Sequence, residues 1–142
     1  MSGPVQTTDE EIGDILANAR TVALVGLSPK PDRPSYEVAS YLKGQGYRIV
    51  PVNPTCQEVL GEPCYPTLQA IPHPVDVVDI FRRSEEVPPY VEAAIEIGAR
   101  VVWMPEGVVN EAAAARARQA GLKVVMDRCM KKEHLRTHTP KA

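Results

Sequence analysis

The segment Thr21-Val22-Ala23-Leu24-Val25-Gly26-Leu27-Ser28 decides how the rest of the chain is read. Its continuous apolar run suits a strand buried on both faces of a parallel sheet. The glycine and serine that end it lead through Pro34-Ser35 into a helical pattern. Strand, glycine loop and helix N-terminus give the outline of a phosphate cradle, because the backbone can approach an anion closely and the helix dipole favours one. A second apolar run ends in Pro51-Val52-Asn53-Pro54, where an enzyme built on NAD would place an acid to hold the ribose hydroxyls. The cradle points to a nucleotide, and the missing acid points away from NAD.

Outward from this unit, strand and helix patterns keep alternating. Thr8 ahead of Asp9-Glu10-Glu11 reads as a capping box for a short helix carrying Ile12, Ile15 and Leu16. Thr21 to Val25 is expected at the sheet centre. Ser35 is expected to cap a helix with Val38, Ala39 and Leu42 on one side, closed by Gly44 and Gly46. Tyr47 to Val52 follows as the second strand. Gly61, Pro63, Pro66, Pro72 and Pro74 leave room only for short helical turns, around Thr67 to Ile71. Val75 to Phe81 makes a third strand, and Pro88 opens a helix with Val91, Ala94 and Ile95 that ends at Gly98. Val101 to Trp103 is the fourth strand. Asn110 caps the alanine-rich run Ala112 to Ala120, Gly121 closes it, Lys123 to Met126 is the fifth strand, and a short helix spans Met130 to Leu135. The expected architecture is a single α/β domain over residues 1–142. It is a Rossmann-like open parallel five-stranded sheet with helices on both faces and ligands at the carboxyl ends of the strands.

Composition narrows the function classes. A chain of 142 residues buries about two thirds of its unfolded surface as one domain. Its 16 basic and 18 acidic residues leave a net charge of −2, so no general positive field draws in a nucleic acid or an anionic membrane. Apolar runs reach only about six residues, against roughly 20 for a bilayer span, and the N-terminus has no basic-then-apolar segment. A cytoplasmic protein is expected. Cys56, Cys64 and Cys129 are too few and too irregular for a disulfide framework and form no C-x-x-C pair, which predicts reduced thiols. The 14 prolines, most of them at segment boundaries, stiffen loops in the manner of some thermophilic proteins and predict thermostability.

Four loops at the carboxyl ends of the strands carry the candidate chemistry. Gly26 to Ser35 combines an approachable backbone, hydroxyls of Ser28 and Ser35, and the cations Lys30 and Arg33, all of which favour an anion. The alternative is a proline-stiffened turn with solvated cations, and the loop carries neither G-x-G-x-x-G nor G-x-x-x-x-G-K-[ST]. Asn53-Pro54 offers an amide to a ribose or an adenine edge, or forms an Asx turn. Phe81-Arg82-Arg83-Ser84 ends a strand in two cations, of which side-chain alternation lets one reach the crevice. Trp103-Met104-Pro105-Glu106-Gly107 offers an apolar wall and a turn, with Trp103 expected in the core.

No catalytic constellation emerges. His73 lies between prolines, and His134 and His138 lie in the last nine residues. Cys129 and His134 are poorly spaced for a nucleophile and base, Asp76 and Asp79 are out of phase as a carboxylate pair, and no metal-ligand spacing occurs. Lys131-Lys132 reads as a solvated helix end favoured by the negative pole of the dipole.

Taken together, Val25-Gly26-Leu27-Ser28, Arg33-Pro34-Ser35-Tyr36, Pro51-Val52-Asn53-Pro54, Asp79-Ile80-Phe81-Arg82-Arg83-Ser84 and Val124 to Cys129 resemble the stand-alone CoA-binding protein family over residues 10 to 136. The chain is also similar to the CoA-binding domain of the succinyl-CoA synthetase alpha subunit. The resemblance implies that Gly26, Leu27, Ser28 and the helix from Ser35 and Tyr36 hold the CoA diphosphate. It implies too that Asn53-Pro54 and Phe81-Arg82 border the adenosine portion, and that Met104 to Gly107 lies near the pantetheine arm. Pro105 stands where stand-alone relatives often have Gln, while Glu106-Gly107 echoes the Glu-Gly turn of the ligase subunit. That subunit has a second domain with a phosphorylated histidine, and this chain ends before such a domain begins.

The function expected is binding of CoA or an acyl-CoA without catalysis and without a metal, in order to sequester, sense or present the coenzyme. CoA carries a diphosphate and a third phosphate on the ribose, so cations near the second and third loops are useful and an acid there would repel, which accounts for an Asn at position 53. The rivals are an NADP-dependent oxidoreductase, with Arg82 or Arg83 on the 2′-phosphate, and a regulatory interaction module with a vestigial nucleotide site. The partner is a small-molecule nucleotide rather than nucleic acid or membrane, and the sequence names no protein partner.

Overall fold

The computed structural model describes residues 7–138, the side chain of His138 excepted. The expectations for the first six residues, and for the basic tail past residue 138, lie outside that range. Within it, helix α1 (Asp9–Asn18) precedes β1 (Thr21–Val25), α2 (Pro34–Gly44), β2 (Arg48–Val52), β3 (Glu58–Val59) and β4 (Glu62–Pro63). There follow β5 (Val77–Ile80), α3 (Val87–Glu96), β6 (Val101–Trp103), α4 (Glu111–Gln119), β7 (Lys123–Val125) and α5 (Met130–His138), with 3₁₀ turns at Leu68–Ala70 and Ser84–Glu86.

Five strands form one parallel sheet in the order β2-β1-β5-β6-β7, the Rossmann-like architecture expected. Strand β1 is therefore off-centre; β5 holds the middle, in register with β1 through Val22↔Val77 and with β6 through Val77↔Val101. The strand order reverses after β2, so the crevice where ligands sit in such sheets opens between the ends of β1 and β5. Alternation along the strands feeds two cores. Val22, Leu24, Ile49, Val77, Val101 and Trp103 meet Ile12, Leu16, Val38, Leu42 and Met130 of α1, α2 and α5. On the opposite face Ala23, Val50, Val78, Ile80 and Val102 meet Val87, Val91, Ala94, Ala114 and Ala117 of α3 and α4.

Local chemistry sets the helix ends. The Thr8 capping box forms as read, with Thr8 Oγ1 accepting from the Glu11 N–H at 3.1 Å and Glu11 reaching back to the Thr8 N–H. Asn110 caps α4 by accepting from the Ala113 N–H at 2.9 Å. Ser35 does not cap α2: Arg33 is the N-cap residue, Pro34 is the first helical residue, and no side chain caps the helix. The crossover after β2 holds the short Leu68–Ala70 turn and also an antiparallel hairpin, β3 with β4, that the sequence reading missed. Its two-residue turn puts Leu60 and Gly61 at φ 55° and 76°, and leucine is not a residue that announces a left-handed turn. Among the described residues, no helix is long and apolar enough to cross a membrane.

Candidate functional site

A cavity of about 880 Å³ opens at the sheet's carboxyl end, between the β1–α2 loop and the loops that follow β5 and β6. Gly26, Ser28, Lys30, Arg33, Ser35, Phe81, Arg82, Arg83, Glu106 and Gly107 all line it, so ten of the sequence candidates converge on one space. A second cavity of about 660 Å³ holds Asn53 and Pro54 together with Thr67, Leu68 and Tyr90, and it shares Gly26, Arg82 and Glu86 with the first. The two form one trough running across the β1–β5 switch point. Leu27 and Met104 are fully buried and give the trough no side chain, while Tyr36 packs against the α2-side core.

The β1–α2 loop is shaped by its own hydrogen bonds. The Ser28 N–H donates to Ser35 Oγ at 3.0 Å, and the Lys30 N–H to Ser28 Oγ at 3.1 Å, so both hydroxyls brace the loop. Gly26, at φ 79°, has a steric reason of its own: a Cβ there would lie 2.4 Å from the Phe81 carbonyl oxygen. The first-turn N–H groups of Ser35 and Tyr36 are left without a side-chain cap at the positive pole of α2. Beside them, among the described residues, the Lys30 ammonium and Arg33 guanidinium have no hydrogen-bond or ion-pair partner. Uncapped helix donors and two cations facing one cavity are an arrangement that favours an anion.

On the opposite wall positive charge is already matched. Strand β5 stops at Ile80, so Arg82 and Arg83 are freed from strand alternation and both reach the cavity, where only one was expected. Arg82 Nη2 lies 2.9 Å from Glu86 Oε2, and Arg83 Nε lies 3.6 Å from Glu86 Oε1, which also accepts from the Arg83 N–H at 3.1 Å. The backbone bond from Arg83 and the Arg82 side chain hold the Glu86 carboxyl below its ordinary pKa.

Asn53 is committed to structure. Its Oδ1 accepts from the Thr55 N–H at 2.9 Å and from the Thr55 hydroxyl at 2.8 Å, an Asx turn, and its Nδ2 donates to the Leu27 carbonyl at 3.0 Å. It ties the second loop to the first. The remaining loops are also cross-braced: Ser84 Oγ accepts from the Val109 N–H at 2.9 Å, and Asp127 Oδ1 from the Gly107 N–H at 2.7 Å.

Glu86, Cys129, Ser84 and Asp127 were missed as site or bracing residues by the sequence reading. Glu86 carried a signal, standing four residues after Arg82, the helical spacing of an ion pair; the others are brought in by loop geometry alone. The Lys131-Lys132 reading is corrected: both occupy the first turn of α5, at its positive pole, and are held by Glu37 at 2.8 Å and Glu106 at 2.9 Å. The carboxylates offset the dipole there, and the Lys132–Glu106 pair ties α5 to the loop after β6. Cys129 and His134 do not pair; His134 Nδ1 is 2.7 Å from the Tyr41 hydroxyl, away from the trough. Trp103 is buried, donating from Nε1 to the Arg128 carbonyl at 2.6 Å. Among the described residues no group of three or more His, Cys, Asp or Glu side chains could hold a metal ion.

Comparison with known proteins gives this geometry a context. An uncharacterized protein of Bacillus subtilis, YneT, is 43% identical over 124 residues, covering 87% of this chain and 92% of that protein. ADP-forming acetate–CoA ligase I of Archaeoglobus fulgidus is 34% identical over 73 residues, 51% of this chain but only 11% of the ligase. The crystal structure of Prb, the PH1109 protein redesigned for binding, superposes with a TM-score of 0.93 at 43% identity, covering 97% of this chain and 98% of that one. The CoA binding domain family model matches residues 20–135, from the start of β1 into α5. With the family model spanning the whole sheet and its trough, the chain belongs to the CoA-binding domain family.

Proposed function

We propose that this chain binds CoA or an acyl-CoA as a stand-alone domain of the cytoplasm and does not transform it. The observation that carries the reading is the unpaired Lys30 and Arg33 beside the uncapped start of α2, in a trough that continues into a second cavity large enough for a nucleoside. A diphosphate over Gly26 to Ser28 would accept from the Ser35 and Tyr36 N–H groups and meet both cations. Adenosine would then lie along Asn53-Pro54, in contact with the wall rather than with the Asn53 amide. Arg82 borders both cavities, within reach of a further phosphate, and the pantetheine arm would run past Glu106-Gly107. The charge pattern suits a ligand with three phosphates better than one with two, which favours CoA over NAD.

The test is calorimetric titration of the full chain with CoA, acetyl-CoA, 3′-dephospho-CoA, NADP, NAD and ATP, paired with thermal unfolding. CoA should bind most tightly and, at 100 times its dissociation constant, add about 2.7 kcal/mol of stability. The 3′-dephospho form should bind more weakly. Stabilisation by NADP with none by CoA would overturn the reading. Recovery of CoA or acetyl-CoA unchanged after prolonged incubation supports binding without chemistry, and turnover would refute it.

A further inference from the structure

The hairpin that the sequence reading missed brings two cysteines together. Cys56 precedes β3 and Cys64 follows β4, and the Cys64 N–H donates to the Gln57 carbonyl at 2.9 Å, extending the pairing of the two strands. The sulfurs lie 3.2 Å apart, and both residues are half-buried. A disulfide needs about 2.05 Å between sulfurs, so an approach of roughly an ångström closes the bond with the hairpin already in place. The flanking chain is shared with the trough: Asn53, Pro54 and Thr55 line the second cavity just before Cys56. Tyr65, just after Cys64, accepts from the Asn53 N–H at 3.0 Å and donates to the Pro51 carbonyl at 3.0 Å.

We propose that Cys56 and Cys64 are a redox-active dithiol that is oxidised to an intramolecular disulfide by small-molecule disulfides, locking the outer wall of the second cavity. The Cys56 thiolate attacks one sulfur of the small disulfide, forming a mixed disulfide and releasing one thiolate. Cys64 then loses its proton and attacks Cys56 Sγ, forming the protein disulfide and expelling the second thiolate. The protein dithiol gives up two electrons and two protons, and the small disulfide becomes two thiols. Desolvation, with the hydrogen bond and charge of Cys56 behind it, pushes the Cys64 thiol up to about 12, which favours Cys56 as the first sulfur to attack. Cys129, on the trough's far side, has no sulfur partner among the described residues and takes no part.

The full chain, equilibrated in glutathione buffers from fully reduced to fully oxidised, would be acid-quenched, alkylated and weighed. Oxidation should remove two alkylation sites and two hydrogens, leaving Cys129 alkylated. Cleavage after Glu58 should then separate the Cys56 and Cys64 pieces only after reduction. In the Cys64→Ser variant the remaining Cys56 should trap a stable glutathione mixed disulfide, and faster than Cys64 does in Cys56→Ser, where burial still holds the Cys64 thiol up, while Cys129→Ser should leave the internal link unchanged. Stable mixed disulfides on the wild-type chain with no internal link, or a link that includes Cys129, would overturn the proposal. Equal trapping rates in the two single variants would overturn the order of attack.

Discussion

The two walls of the trough treat positive charge in opposite ways. On the β1–α2 wall, Lys30 and Arg33 stand without side-chain partners among the described residues, beside an uncapped helix start. On the β5–α3 wall, Arg82 and Arg83 are both engaged by Glu86. Four cations near a site are therefore not equivalent. An anion reaching the first wall gains charged hydrogen bonds without breaking any, whereas an anion on the second must displace a carboxylate that already occupies the guanidinium. The first wall should supply affinity, and the second should discriminate in favour of ligands bearing a phosphate strong enough to replace Glu86.

Gly26 joins the walls, so the comparison breaks most severely there. Gly26→Ala forces a Cβ toward the Phe81 backbone and strains a positive φ, and it should cost about 3 kcal/mol or more in urea unfolding. A cost within experimental error would show that the walls are not held in contact. Next in size, Arg33→Ala should weaken CoA about 10- to 100-fold in calorimetry, with stability unchanged; an undiminished affinity would remove the first wall from the site.

Beneath both walls lies a carboxyl that sharpens the contrast. Asp79 is 1% exposed in the middle of β5, with neither oxygen hydrogen-bonded, and burial drives its pKa well above the ordinary value. Because the folded state keeps this proton after the unfolded chain has released it near pH 4, Asp79 erodes stability as pH rises from there until it ionises in the folded protein. Asp79→Leu should stabilise the fold by about 1–3 kcal/mol at neutral pH, with the gain shrinking toward pH 4. A gain independent of pH would show that the carboxyl is not held neutral. The smallest effects belong to the second wall. Glu86→Gln should tighten CoA about two- to fivefold by freeing the arginines, and Arg82→Ala should weaken it less than Arg33→Ala does. The reverse ranking of the two arginine variants would invert the comparison.

The sequence made the layered sheet legible because long apolar runs such as Thr21–Val25 and helix punctuation such as Asn110 and Gly121 are local signals. It misplaced β1 at the centre because strand order is set by crossovers, which no local pattern encodes. The hairpin escaped because two-residue strands show no alternation. In the candidate site, residue types in the loops were informative, so Gly26, Arg33 and Arg82, singled out by type, are residues that the structure brings to one cavity. Whether a cation is already paired depends on which side chains the fold brings beside it, and for Glu86 the only trace in the sequence was its spacing of four residues from Arg82. The Asx turn at Asn53 forms because the Thr55 N–H two residues on lies within reach of its side-chain oxygen.

The chain's single tryptophan lies at the end of β6 with none of its surface exposed, its indole nitrogen anchored to the Arg128 carbonyl. An indole shielded in this way emits at short wavelength and is out of reach of aqueous quenchers. The protein thus carries a built-in optical reporter that shifts to the red when the α2-side core opens, without the addition of a dye.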